Sequence, residues 1–379
     1  MGGHTNPKAL IFPLTGLRFF AAFAIVLHHI GGLFGIPATT FQGWNLAHGV
    51  SVFFVLSGFV LTYSYPALNK PGDTRQFYSG RIARILPAHL ITLLAAVALG
   101  VPFAAPYFFA NAFLLQSWIP TGDYFFSYNA VSWSISTEMG FYLVFPLLIR
   151  NFASTWHWKL AACFASSAAM GLLAGYLGLP FYSGGKDAVV QGLAMVNPIS
   201  RIFEFCLGMA AALLWSRSRD GLSRLPFASW AVIELVGVVL LVWGRSWIDA
   251  ILQPVMHSGA MKFWTGDSLS PAFPAALLLI ILASSTGPLA RFLGCRPVRY
   301  LGEISFAIYL THQLVMRLFF GYPQIFGRLP DQWVLWAYLL TVIVASAALH
   351  LAENPARKMI MAWFRTKATP MSVQTSPIA

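Results

Sequence analysis

Five ionisable side chains stand out in a chain that otherwise avoids charge: Arg18, His29, Arg81, Arg84 and Glu138. Ionisable groups inside apolar helices are costly, so each is by default a candidate for function. Arg18 and His29 share the first apolar stretch. Over eleven residues a helix turns about 1100°, which returns His29 to the face of Arg18, about 16 Å further along the axis. His28 points about 80° away from Arg18 and reads as structural. An imidazole at such a position can take a proton from a hydroxyl nucleophile or carry a group covalently. The plain alternative is a snorkelling anchor for Arg18 and hydrogen-bonded packing for His29.

Arg81 and Arg84 are spaced i, i+3, which puts both on one face of a helix. Paired guanidinium forks at an inner membrane edge can grip a phosphate-rich cytosolic ligand, or serve only as topology anchors. Pro87 suits the first turn of the span that follows. Glu138 lies in Val131-Ser-Trp-Ser-Ile-Ser-Thr-Glu138, where a span enters from the outer side, at the depth expected of His29. A carboxylate beside an imidazole orients it and raises its basicity. The alternative is a first-turn carboxylate favoured by the helix dipole, with Ser134 as N-cap. Arg201 and Glu204, also i, i+3, read as a structural pair, because a buried charge needs a partner. Glu303, Tyr309 and His312 could line the same cavity, although nothing in their spacing singles them out. No metal is expected, since the nine His are scattered and His28-His29 is not a helical i, i+4 ligand pair. H-E-x-x-H, G-x-S-x-G and P-loop motifs are absent.

The elements that must hold these residues are membrane helices. Of 379 residues, 58% are hydrophobic and 9% charged, against about 25% charged in soluble domains. So few charges cannot cover a soluble surface of this size, and the composition is that of an integral membrane protein. It excludes intrinsic disorder, a secreted disulfide scaffold and a nucleic-acid-binding domain; Cys163, Cys206 and Cys295 form no C-x-x-C motif.

The fold class is all-α, with about ten transmembrane helices of about 20 residues each. They are placed at roughly 15–36, 49–66, 86–103, 134–149, 158–178, 198–215, 227–244, 272–289, 302–321 and 332–351. Residues 104–133, interrupted by Pro106, Pro120 and Gly122, read as a re-entrant or surface-lying segment between helices 3 and 4. With both termini cytoplasmic, the outer side holds only Lys186, Arg201, Arg245, Lys262, Arg317 and Arg328 of the 24 Lys and Arg. The net charge of +12 is therefore mostly a topology signal and no nucleic-acid partner is expected. Arg18 within the first apolar run, with no A-x-A site after it, argues for a retained helix rather than a signal peptide. Residues 1–365 read as one membrane domain and 366–379 as a disordered cytoplasmic tail.

Beyond these physical signals, the chain resembles the acyltransferase 3 family of bacterial multi-span transferases. The likeness rests on Gly16-Leu-Arg18 with His29, Gly49-Val-Ser-Val-Phe-Phe-Val-Leu-Ser57-Gly58-Phe and Arg81-x-x-Arg84-Ile-x-Pro87. It continues through Ser132-Trp-Ser134-Ile-Ser-Thr-Glu138-x-x-Phe-Tyr, Arg201-Ile-Phe-Glu204-Phe-Cys-Leu-Gly208, Leu301-Gly-Glu-Ile-Ser305-x-x-Ile-Tyr309-Leu-x-His312 and Glu353-Asn-Pro355. Each motif is weak alone; the ordered set, from about residue 11 to 360, is specific. One departure is Thr137 and Met139 flanking the glutamate, where a further acidic or polar residue is common.

The resemblance implies an O-acyltransferase of the bacterial inner membrane. It would move an acyl group, usually acetyl, from a cytosolic acyl-CoA to a sugar hydroxyl of a surface or exported polysaccharide or lipid-linked glycan. The family's helix-1 arginine and histidine map to Arg18 and His29, its R-x-x-R to Arg81 and Arg84, and its helix-4 glutamate to Glu138. His29 and Glu138 are then the catalytic residues, and Arg18, Arg81 and Arg84 bind acetyl-CoA, with no tightly bound cofactor. The partners are acyl-CoA, a carbohydrate acceptor and the bilayer. The hydrolase-like domain that some members carry is not expected here. The rival from another class is a secondary transporter or flippase using the same charges as a proton relay; no internal repeat of the transporter kind is visible.

Overall fold

The computed structural model describes residues 11–31, 46–182, 186–222, 225–321 and 331–366. The expected tail lies outside the described residues, apart from its first position. Among the described residues the secondary structure is helical, with one isolated bridge between Thr121 and Ala188. Among the described residues, eight segments are long and apolar enough to cross a membrane, and a ninth forms if α13 (Arg296–Glu303) and α14 (Ser305–Gly321), bent by 62°, count as one. Helix α6 (Trp133–Ile149) has 17 residues, about 25 Å of rise and just short of that length, so the eight or nine spans agree roughly with the about ten expected. The protein is a multi-pass membrane protein.

Helix α1 (Phe12–Ile30) starts with proline in its first turn, where the missing N–H costs nothing. It packs against α2 (Gly49–Ser64), α12 (Pro288–Gly294), α13 and α14. Helix α3 runs from Asp73 to Ala98, much longer than the span expected at 86–103. Its first half is polar enough to read as a loop, yet it is helical, and Pro87 sits inside it rather than in its first turn. Arg81 and Arg84 therefore project from the body of a 26-residue helix, not from its approach.

The tightest packing is between α2 and α8 (Pro198–Leu222). A Cβ on Gly58 would fall 1.9 Å from the carbonyl oxygen of Phe205, and one on Gly208 would fall 1.9 Å from that of Val55. The two backbones touch at both positions, as small residues allow between membrane helices. This contact fixes the rotation of α2 and therefore the direction of Ser57, beside Gly58.

Residues 104–133 are neither a span nor a bare loop. Short helices α4 (Ala105–Ala112) and α5 (Gly122–Phe125) alternate with single turns at Gln116–Trp118 and Ala130–Ser132. Leu114 and Tyr128 take positive φ angles of 57° and 53°. Buried polar side chains satisfy this irregular backbone, as membrane depth requires. The ring of His89 bonds the Asn111 carbonyl at 2.8 Å, Asn111 donates to Tyr107 O and Ser127 Oγ, and Asn129 donates to Leu310 O. Ser117 and Ser136 bond each other at 2.7 Å. Exposed Phe103, Phe109 and Phe113 give the segment an apolar outer side. Helix α6 thus starts among protein groups, with Trp133, Ser134, Ile135, Ser136 and Thr137 all buried.

The remaining spans are α7 (Phe152–Tyr176), α9 (Phe227–Leu252), the run of α10 (Gly259–Trp264) through a π-helical turn into α11 (Ser270–Ser284), and α15 (Asp331–Thr366). Glu234 of α9, 1% exposed, accepts from the backbone N–H groups of Leu289 and Ala290 at the start of α12. It is a buried cap, and the dipole of α12 stabilises it.

The α2–α8 contact is open to test. Gly58→Ala and Gly208→Ala each drive a methyl into a carbonyl, an overpacking that costs about 1–3 kcal/mol or more. Both variants should show a clearly lowered melting temperature in detergent, and Gly221→Ala, where a Cβ meets nothing within 4 Å, should not.

Candidate active site

A cavity opens between α1, α2, α3, α6 and α14. Arg18, Arg81, Arg84, Glu138, Tyr142, Ser57, Ser134 and Tyr309 contribute its polar lining, and Phe53, Phe54 and Phe306 part of its apolar wall. Four of the five sequence candidates therefore meet in one place, although they come from three helices.

The charges in this cavity do not balance. Ion pairs of arginine among the described residues involve Arg201, Arg245 and Arg299; Arg18, Arg81 and Arg84 have no carboxylate within 4.0 Å. Arg81 lies over the rings of Tyr65 and Tyr142, each 5.8 Å away, and its buried Nε has no hydrogen-bond partner. The one carboxylate in the lining, Glu138, accepts from Ser57 Oγ at 2.8 Å and from Tyr142 OH at 2.5 Å, both on Oε1. Glu138 is within electrostatic range of Arg18 and Arg84. Three cations around one anion leave a net positive cavity.

His29 lies elsewhere. The expected pairing with Glu138 is corrected by the structure: the ring of His29 hydrogen-bonds His312, with Nδ1 3.0 Å from His312 Nε2. The two rings stack at 5.1 Å. The cause is the buried start of α6, which sets Glu138 level with the arginines instead of level with His29. Ser134 is not a cap either: it bonds Tyr309 OH at 2.8 Å, and the N-cap position is Ser132, without a side-chain cap bond. Tyr309 stands between the two regions, lining the cavity while its ring centroid is 5.9 Å from that of His312.

The hydrogen bonds set the tautomers by elimination. His312 Nδ1 lies 2.7 Å from the carbonyl of Tyr309, which can only accept, so Nδ1 carries the proton. Neutral His312 then presents a lone pair at Nε2, and His29 must donate to it from Nδ1. A neutral His29 is left with its lone pair on Nε2, the form a general base requires.

Residues 13–351 match the acyltransferase domain family, most of the chain. The chain belongs to this family. It is 32% identical to acyltransferase MdmB of Streptomyces mycarofaciens over 93% of this chain and 94% of that protein. It is 25% identical to the peptidoglycan O-acetyltransferase OatA of Listeria monocytogenes over 91% of this chain. The O-acetyltransferase OatA of Staphylococcus aureus is likewise 25% identical over 91%. The chain spans only 55% and 57% of the length of these two OatA proteins. No solved structure matches the chain.

His312, Ser57 and Tyr142 join the site although spacing alone did not select them. Their signal was present in the motifs around Ser57-Gly58, Glu138-x-x-Phe-Tyr142 and Tyr309-x-x-His312, but only folding shows which partner each one takes. Arg201 and Glu204 pair as expected, at 2.5 and 2.9 Å and 3% and 0% exposed, with Arg201 also donating to Ser51. Glu303 faces Arg299 at 3.7 Å and does not line the cavity.

Glu138→Gln keeps an oxygen for Ser57 and Tyr142 but removes the charge that offsets three guanidinium groups. Hydrogen bonds to charged groups contribute about 1.5–3 kcal/mol, so the variant should unfold at lower temperature than the parent. Sulfate should restore more of that loss than chloride at equal ionic strength, read by thermal unfolding in detergent.

Proposed function

We propose that the protein is a membrane O-acetyltransferase that takes the acyl group of a cytosolic acyl-CoA and places it on a hydroxyl of a sugar, in an exported or lipid-linked glycan. The observation that carries the donor half is the unneutralised arginine triad. Guanidinium groups without carboxylate partners inside a membrane protein are costly unless an anion joins them. Phosphate groups match their planar forks. The nucleotide phosphates of acetyl-CoA would sit at Arg81 and Arg84 with Arg18 beside them, and the pantetheine arm would follow the apolar wall towards Tyr309. In this reading the protein sits in a bacterial inner membrane with both termini cytoplasmic, an orientation that the bias of Lys and Arg supports. The family membership and the O-acetyltransferase names of the OatA relatives support the reaction class.

In this mechanism His29 Nε2 takes the proton of the acceptor hydroxyl as its oxygen attacks the thioester carbonyl. The C–O bond forms, the C–S bond breaks, and the proton passes from His29 to the departing thiolate of coenzyme A. His312 holds the reactive tautomer, a positioning role analogous to the residue that orients the base in hydrolase triads. Glu138 keeps Ser57 and Tyr142 in the wall and tempers the triad's charge.

Calorimetry of acetyl-CoA with the purified protein tests the donor site. The double variant Arg81→Ala/Arg84→Ala should bind about 100-fold more weakly, at about 1.4 kcal/mol per tenfold step, with Lys at both positions recovering part of the loss. Unchanged affinity would return both residues to topology anchors. His29→Ala should abolish transfer while leaving acetyl-CoA affinity within about threefold, since His29 does not line the cavity. Substrate flux in proteoliposomes without consumption of acetyl-CoA would favour a transporter instead.

A further inference from the structure

Within electrostatic range of His28 lies a second polar cluster that the donor mechanism does not use. Arg245 and Asp249 come from α9, Asp267 from the π-helical turn Thr265–Leu269, Ser270 from α11 and His48 from the turn before α2. None of them lines the arginine cavity. Asp249 is fully engaged, accepting from Arg245 Nε at 3.0 Å and from Ser270 Oγ at 2.6 Å. Asp267 is not. Its Oδ1 stands 3.9 Å from Arg245 Nη2 and 4.0 Å from His48 Nε2, beyond hydrogen-bond reach of both. No described side chain or backbone N–H donates to this carboxylate, while its own backbone carbonyl is tied to Ser51.

The surroundings are built to present that carboxylate. π-Helical turns are rare and concentrate at functional sites. Gly266 beside it carries no side chain where a Cβ would meet Arg245 Nη2 at 2.9 Å. The charged groups stay partly open, with Asp267 27% and Arg245 23% exposed, unlike the sealed Arg201–Glu204 pair next to them. Asp267 is within electrostatic range of His28, whose ring is 5.3 Å from that of His29.

We propose that Asp267, flanked by Arg245 and His48 but hydrogen-bonded to neither, is the recognition group of an acceptor subsite and receives two neighbouring hydroxyls of a neutral sugar. An ionised carboxylate only accepts, and its two oxygens suit the paired O–H donors of a vicinal diol. Two carboxylates against one guanidinium leave the cluster negative, so an anionic sugar is repelled. The inference rests on the transferase function proposed above and adds the class of acceptor to it.

The test uses purified full-length protein with acetyl-CoA and four probes: the methyl α-glycosides of glucose, galactose and mannose, and methyl α-glucuronide. Acetylated product is read by mass spectrometry and donor affinity by calorimetry. The wild type should acetylate at least one neutral glycoside more efficiently than the glucuronide. Asp267→Asn should raise KM for that glycoside at least tenfold, with acetyl-CoA affinity within twofold, and Asp267→Glu should recover part of it. Preference for the glucuronide, no transfer to any neutral probe, or an unchanged KM in Asp267→Asn would overturn the subsite while donor binding still stands. Equal loss of acetyl-CoA affinity in Asp267→Asn would show a structural role and overturn it too. A wild type that neither binds nor consumes acetyl-CoA would sink the transferase function itself, and the subsite with it.

Discussion

Three guanidinium groups held around a single carboxylate inside a membrane protein set the terms for the rest of this molecule. Arg18, Arg81 and Arg84 stand on two helices, Glu138 on a third, and Ser57 on a fourth supplies one of the two hydroxyls that fix the carboxylate. Placing charge at membrane depth costs several kcal/mol per ion after relaxation, by order of magnitude about the stability of a whole domain for three. The chain treats its other internal charges differently. Arg201 and Glu204 neutralise each other in full burial, and Glu234 is capped by the N-terminus of α12. Among the described residues, Arg18, Arg81 and Arg84 outnumber the one carboxylate that lines the cavity with them, an excess that the anionic donor of the proposed function would bring back to balance.

The same rule governs the backbone. Along residues 104–133, where the helices break, polar side chains take up freed backbone groups: the His89 ring bonds the Asn111 carbonyl, Ser136 donates to Leu114 O and Asn111 donates to Tyr107 O. These breaks have a use. The broken segment lets α6 start inside the protein, and that start lowers Glu138 from the depth of His29 to the depth of the arginines. The π-helical turn between α10 and α11 similarly turns Asp267 out of an otherwise apolar run. Irregular backbone, paid for with internal hydrogen bonds, precedes Glu138 and carries Asp267, and so sets where both carboxylates lie.

Much of this was legible from residues alone. The apolar runs located the spans, and the i, i+3 spacing placed Arg81 and Arg84 on one face, where the cavity finds them. The break at Pro106, Pro120 and Gly122 was visible too. What could not be read was depth. A window of hydropathy sees the polar first half of α3 as loop, because it does not know that Arg81 and Arg84 face an internal cavity. It takes α6 to begin at a membrane surface, and so it paired Glu138 with His29. The actual partner, His312, is 283 positions away in sequence from His29, and only the packing of α1 against α14 brings the two together. Asp267 escaped notice because a single carboxylate in a run with two prolines has no periodic signal.

Helix α1 links the parts. Its Arg18 end borders the cationic cavity and its His29 end reaches the imidazole pair, about 16 Å away along one face. A donor anchored by phosphate and an acceptor recognised by hydroxyl groups need opposite electrostatics. Phosphates need an excess of cations, whereas hydroxyl donors need a free acceptor oxygen and gain nothing from excess positive charge. One pocket could not serve both well. In the proposed function the donor phosphates meet the cationic cavity and the acceptor meets the Asp267 cluster, so that each region carries its own sign of charge. The imidazole pair suits the boundary because it is the least charged part of the path. With His312 locked to the carbonyl of Tyr309, His29 can offer a lone pair without bringing a formal charge of its own. A carboxylate beside His29, as in many hydrolase triads, would have drawn positive charge onto the imidazole in a low-dielectric region; a second neutral imidazole orients the ring without that bias.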